Sequence, residues 1–149
     1  MKTHLRILTL AAALCVGLFT ANAADKHEHK ATLKGGRLLD KTEPHAEFVV
    51  EKDRSVTINF YNEEIKPVAA TTQSVTVIAD AKSGKETLQF EKKGDSLVSK
   101  TKLPEGDGYN VVVQFKQTPD AKPLNLRFKL DLAMCNECKR AEYACICEH

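Results

Sequence analysis

The chain has 149 residues, with 22 Lys and Arg against 20 Asp and Glu. So even a balance supplies no electrostatic case for binding nucleic acid or an anionic membrane. The length suits one domain with its own core, and the five Cys are unevenly spread, with four of them between Cys135 and Cys147.

The N-terminus reads as a cleavable secretion signal. Lys2, His4 and Arg6 form a basic start, and Ile7 to Phe19 is an apolar run of roughly 13 residues, short for a membrane span. Ala21-Asn22-Ala23 is a small-x-small cleavage site. Leu14 precedes Cys15 and the apolar run continues beyond it, against a lipoprotein reading, so Cys15 is expected to leave with residues 1–23. The expected location is periplasmic or secreted. Loss of Lys2 and Arg6 leaves 20 Lys and Arg against 20 Asp and Glu, and no later segment is long and apolar enough for a span. Residues 24–30 then form a polar leader in which His27 and His29 are a second candidate metal site, because imidazole binds zinc, copper and nickel.

From 31 to 132 the pattern has the period of strands. Leu124 to Leu132 is apolar at every even position and polar at every odd one, the signature of a strand with one buried face. Val56 to Phe60 and Leu88 to Phe90 repeat it, and Ser74 to Ala79 and Tyr109 to Phe115 are rich in Val or Ile, as half-buried strands are. Lys34 to Leu39 and His45 to Glu51 are expected to be further strands. Phe48 and Phe128 are expected in the core, and Phe60, Tyr61 and Tyr109 in the core or at its rim. Gly and Pro clusters separate these runs and turn the chain. Seven or eight short strands at near ten-residue spacing predict an all-β, antiparallel, immunoglobulin-like sandwich, with a small barrel as the alternative.

Several short patterns recur in order here: Gly35-Gly36-Arg37-Leu38 after the His leader, His45-Ala46-Glu47-Phe48, Val56 to Tyr61, and Ile65-Lys66-Pro67-Val68. Across residues 27–130 the chain resembles small exported bacterial β-sandwich domains like the periplasmic domain of heavy-metal efflux adaptor subunits. The resemblance implies an immunoglobulin-like fold and a metal-handling setting, and names no ligand. The chain lacks the adaptor's hairpin and membrane-fusion parts, so it is not expected to be a pump subunit of that kind.

After Leu132 the alternation stops. The tail, 133–149, carries Cys135-x2-Cys138-x6-Cys145-x-Cys147-x-His149. Cys-x2-Cys brings two thiolates together across a tight turn, and the second pair returns after a loop long enough to face the first. Four sulfurs can then surround one ion tetrahedrally, as structural zinc prefers, and soft thiolates also suit copper(I). His149 could replace or supplement a sulfur. Lys139 and Arg140 are expected to lower the thiol pKa values through their charge. The competing reading is a disulfide knot formed in an oxidising compartment, for instance Cys135–Cys147 with Cys138–Cys145. A Cys-x2-Cys redox pair is a third reading, but it lacks the βαβ setting of thioredoxin-like sites. These Cys lie beyond the last strand, where a staple would hold only the tail itself, and this favours metal.

No nucleophile elbow, phosphate-binding glycine loop or zincin helix is present, so the chain is not expected to be an enzyme. It is expected to bind zinc or copper(I) for buffering, sensing or delivery. The alternative is a structural domain that docks another exported protein.

Overall fold

A computed structural model describes residues 32–147. The expected signal peptide, the His27 and His29 leader, and His149 lie outside the described residues. The strands are β1 (Arg37–Leu39), β2 (His45–Val50), β3 (Val56–Tyr61), β4 (Pro67–Val68), β5 (Ser74–Ala81), β6 (Gly84–Lys93), β7 (Ser96–Ser99), β8 (Tyr109–Lys116) and β9 (Leu124–Leu130), followed by one 3-10 turn at Glu142–Ala144. All pairings are antiparallel, as the sequence predicts.

The strands follow the order β1-β2-β3-β7-β6-β5-β8-β9, with β4 beside β3. Three consecutive strands, β5 to β7, are followed by β8 lying against β5, which is a Greek key. β6 turns the corner of the structure: its first part pairs with β5 as far as Gln89, and Phe90 to Lys93 pair with β7. The sheet therefore curls back into a nearly closed barrel in which β1 and β9 approach each other, with no ladder between them among the described residues.

Alternation sets the core. Val75, Val77, Ala79 and Ala81 of β5, and Tyr109, Val111, Val113 and Phe115 of β8, are buried while their neighbours face outward. Val56, Ile58 and Phe60 of β3 are buried too, with Thr57 and Asn59 between them half-buried. Phe48 and Phe128 meet edge to face at 5.2 Å between ring centroids, a geometry that the ring quadrupoles favour. On β9 the inward run is less regular than the sequence suggests: Phe128 and Leu130 are buried but Leu124 and Leu126 are only half-buried, because their end of the strand lies beside the open part of the seam.

The structure adds two strands and shortens three, ending β2 at Val50 and β9 at Leu130 and trimming β1 the most. β7 and the two-residue β4 escape the sequence reading because neither is long enough to display a period. β1 starts at Arg37 rather than Lys34. Gly35 takes φ +79°, and the Lys34 and Gly36 amides donate to Glu47 Oε1 at 3.2 and 2.8 Å instead of to a ladder. A Cβ on Gly36 would lie 2.3 Å from the Phe48 carbonyl oxygen, so glycine is required there. Glu47 is completely buried, and its Oε2 accepts a 2.5 Å hydrogen bond from the Tyr61 hydroxyl. Burial, followed by the adjoining Glu47, pushes the Tyr61 phenol well above its ordinary range. The Gly35-Gly36 loop, Glu47 and Tyr61 thus form one structural network.

Candidate metal centre

The four Cys come from two segments that the fold brings face to face. Beyond β9 the chain continues to Cys135, turns, and returns alongside itself. Met134 bridges to Ala141, the Cys135 amide donates to the Arg140 carbonyl at 2.8 Å, and the Glu142 and Tyr143 amides donate to Ala133 and Asp131. The turn is tight because Lys139 adopts φ +57° and its amide donates to the Cys135 carbonyl at 3.1 Å. Cys135 and Cys138 sit at this turn. The 3-10 turn then carries the chain inward, and Cys145 and Cys147 follow it.

All four Sγ atoms lie within 4.8 Å of one another. Three of the six separations are 3.5 Å for Cys135–Cys145, 3.6 Å for Cys138–Cys145 and 3.8 Å for Cys135–Cys147. Around a tetrahedral ion with metal–sulfur bonds of about 2.3 Å, the sulfur–sulfur edge is about 3.8 Å. A disulfide needs about 2.05 Å. Cys145 is as near Cys135 as Cys138, so the spacing marks a common centre rather than two pairs. Cys135 is buried and the other three are half-buried. The four Cys are therefore positioned to bind one metal ion. Among the described residues no other cluster of three or more His, Cys, Asp and Glu converges this closely.

The thiols differ in their hold on a proton. Cys138 is pulled down to about 6, first by the Ile146 amide and then by the Arg140 amide and the neighbouring thiols of Cys145 and Cys147, against an opposing push from burial. Cys147 is driven far up by burial and by the thiols around it. At Cys145 the Cys147 amide, 3.4 Å from Sγ, favours the thiolate, but burial and the Cys135 and Cys138 thiols together hold the pKa above its ordinary value. One thiolate forms readily, and further negative charge at the same point requires a cation. The expected electrostatic role of Lys139 and Arg140 is corrected here. Backbone amides act on Cys138, while the Arg140 guanidinium reaches away to Thr32, donating to its Oγ1 at 3.4 Å and its carbonyl at 3.1 Å.

The tail holds more than itself, contrary to the sequence expectation. Tyr143 and Ala144, between the two Cys pairs, are part of the barrel's core. The Tyr143 ring packs on Phe128 and against Phe48, its hydroxyl accepts from the Val50 amide at 3.0 Å, and its carbonyl accepts from Arg37 Nη1 at 3.0 Å. Sequence reasoning missed Tyr143. Its signal was a single aromatic residue in a stretch with no other reason to carry one. His45 starts β2 with Nδ1 3.2 Å from the Thr42 carbonyl, apart from the Cys cluster. Among the described residues no helix is long and apolar enough to cross a membrane. No family model matches the chain, and neither the curated proteins nor the solved structures yield a match.

Proposed function

We propose that the chain is a small exported metal-binding protein that holds one ion, zinc in preference to copper(I), through Cys135, Cys138, Cys145 and Cys147. The observation that carries this reading is the convergence of four sulfurs within 4.8 Å of one another, three of their separations at 3.5 to 3.8 Å, near the edge of a tetrahedral four-thiolate site of about 3.8 Å. Tetrahedral sulfur coordination favours zinc among the ions considered. Amides of Ile146, Arg140 and Cys147 directed at the sulfurs would spread the charge of the bound thiolates, as outer-shell donors do. His149 and the His27 and His29 pair are auxiliary donors in this reading. The role is non-enzymatic: buffering, sensing or delivery of the ion outside the cytoplasm. The resemblance to efflux adaptor domains supports the same metal-handling context.

Native mass spectrometry of the exported protein, purified without added metal or reductant, tests this. One bound ion on a chain with no missing hydrogens is the expected result, and its mass identifies the metal. A metal-free chain lighter by two disulfides' worth of hydrogens would replace this reading with a stapled interaction domain. Replacing one ligand, Cys138→Ser, should weaken zinc binding by at least about a hundredfold, since four ligands share a binding free energy on the order of 10–16 kcal/mol. Unchanged affinity would remove Cys138 from the site.

A further inference from the structure

Among the described residues no ladder joins β1 to β9 across the seam of the curled sheet. The two ends of the seam differ. At one end Arg37 to Lys41 and Asn125 to Phe128 line an open groove of about 190 Å³. At the other end the 3-10 turn touches both strands, and Ala144, Cys145 and Ile146 leave a gap of only about 40 Å³ against Gly36, Arg37, Leu38 and Asp40. The plug is Tyr143: its ring is packed on Phe128 of β9, its carbonyl takes Arg37 of β1, and its hydroxyl takes the Val50 amide of β2. Arg37 completes the bridge with its guanidinium 5.0 Å from the Phe128 ring centroid.

Tyr143 lies within the loop that the two Cys pairs clamp. Cys135 and Cys138 fix the start of that loop to the extension of β9, and Cys145 and Cys147 fix its end two residues beyond Tyr143. An ion bound to all four sulfurs joins both ends at one point. Removing the ion leaves the contacts of Tyr143 with Arg37, Val50, Phe48 and Phe128 and takes away the point that joins the two ends of the loop. Resting on the four-thiolate reading above, we infer that the bound ion is the latch of the barrel: metal occupancy controls whether the β1–β9 seam is shut, and the site reports metal availability through the exposure of those two strand edges. The coupling is reciprocal, as any linkage between binding and a conformational equilibrium must be.

Hydrogen exchange of the full mature chain, read by mass spectrometry with and without one equivalent of zinc, tests the inference, with zinc uptake measured in parallel by native mass spectrometry. With zinc bound, amides of Arg37–Leu39, Val50 and Leu124–Leu130 should exchange about tenfold slower or more, while those of β5 and β8 change little, because local opening is what the ion suppresses. Tyr143→Leu should still take up zinc, at least about fivefold more weakly, and should confine the protection to residues 134–147. Should that variant fail to fold, Tyr143→Phe offers a milder version: zinc binding is kept and protection is lost at Val50. Zinc uptake by the natural chain with protection confined to 134–147 would overturn the latch and leave the metal site standing. Absence of zinc uptake would overturn the four-thiolate reading, and the latch with it.

Discussion

The centre of the sheet and its seam are closed by different physics. At β5 and β8, seven consecutive residue pairs from Ser74–Lys116 to Asp80–Asn110 are in register, and alternating apolar side chains fill one side. Every contact there repeats the same unit of backbone pairing and cross-strand packing, so the loss of one leaves its neighbours in place. At the seam there is no such repetition. β1 and β9 are bridged by one tyrosine, one arginine and a short 3-10 turn. A closure that rests on a few side chains is easily biased by an external ligand, whereas a full ladder is not. The four Cys stand where such a bias would act.

The sharpest way to break this contrast is Tyr143→Ala. Truncating a buried aromatic ring costs about 3–5 kcal/mol, a large part of the stability of a small domain. The variant should unfold in denaturant at a much lower midpoint than Val112→Thr, a change at a half-buried outward position of β8. Saturating zinc should raise the midpoint of the natural chain more than that of Tyr143→Ala, because the variant binds the ion more weakly. Equal effects of the two substitutions would mean that the seam is no more dependent on single residues than the centre.

The contrast should also appear in pH dependence. Cys145 and Cys147 hold their protons more firmly than ordinary thiols, and an ion must displace both. Zinc affinity should therefore rise by at least about a hundredfold per pH unit near neutrality, one factor of ten for each proton released. Cys138, held down to about 6, is already a thiolate at pH 7 and adds nothing there. Below pH 6 it too is protonated, so the affinity should fall about tenfold more steeply per unit on further acidification. Zinc titrations across pH 5 to 8 with a competing chelator would measure both slopes. A slope of one proton or less would show that the thiols do not titrate as a cluster.

The sequence already shows the centre more plainly than the seam, for the same physical reason. Alternation at Tyr109 to Phe115 or Val56 to Phe60 is a repeated signal, and repetition is legible in a linear string. The Cys spacing is legible too, because a tetrahedral site constrains loop lengths. Tyr143 and Arg37 are single residues, 106 apart in sequence where they meet, and their roles depend on how far the sheet curls. The fate of Lys34 to Gly36 was likewise hidden, since their amides bond to Glu47 rather than to a strand partner. Nothing local marks Glu47 as buried. It sits next to Ala46 and Phe48, and all three are buried because the Gly35-Gly36 loop folds over its carboxylate.

The smallest expected effect tests that loop as the foundation of β1. Gly36→Ala places a Cβ 2.3 Å from the Phe48 carbonyl oxygen and 2.7 Å from Val49 Cγ2. Backbone cannot yield as a side chain can, so the loop must lift, lengthening the Gly36 amide contact to Glu47. Overpacking of this kind costs about 1–3 kcal/mol, so the expected loss is about 2 kcal/mol in denaturant unfolding. Because Gly36 lines the same small gap as Ala144 and Ile146, the displacement should reach the Cys loop and lower zinc affinity in the same variant. Gly35→Ala is the comparison that separates the two consequences: a Cβ there meets nothing within 4 Å, and only the positive φ is strained. It should cost stability with less change in zinc affinity. If both variants lost affinity equally, the route from the β1 loop to the metal centre would be general destabilisation, and the seam would have no special place between them.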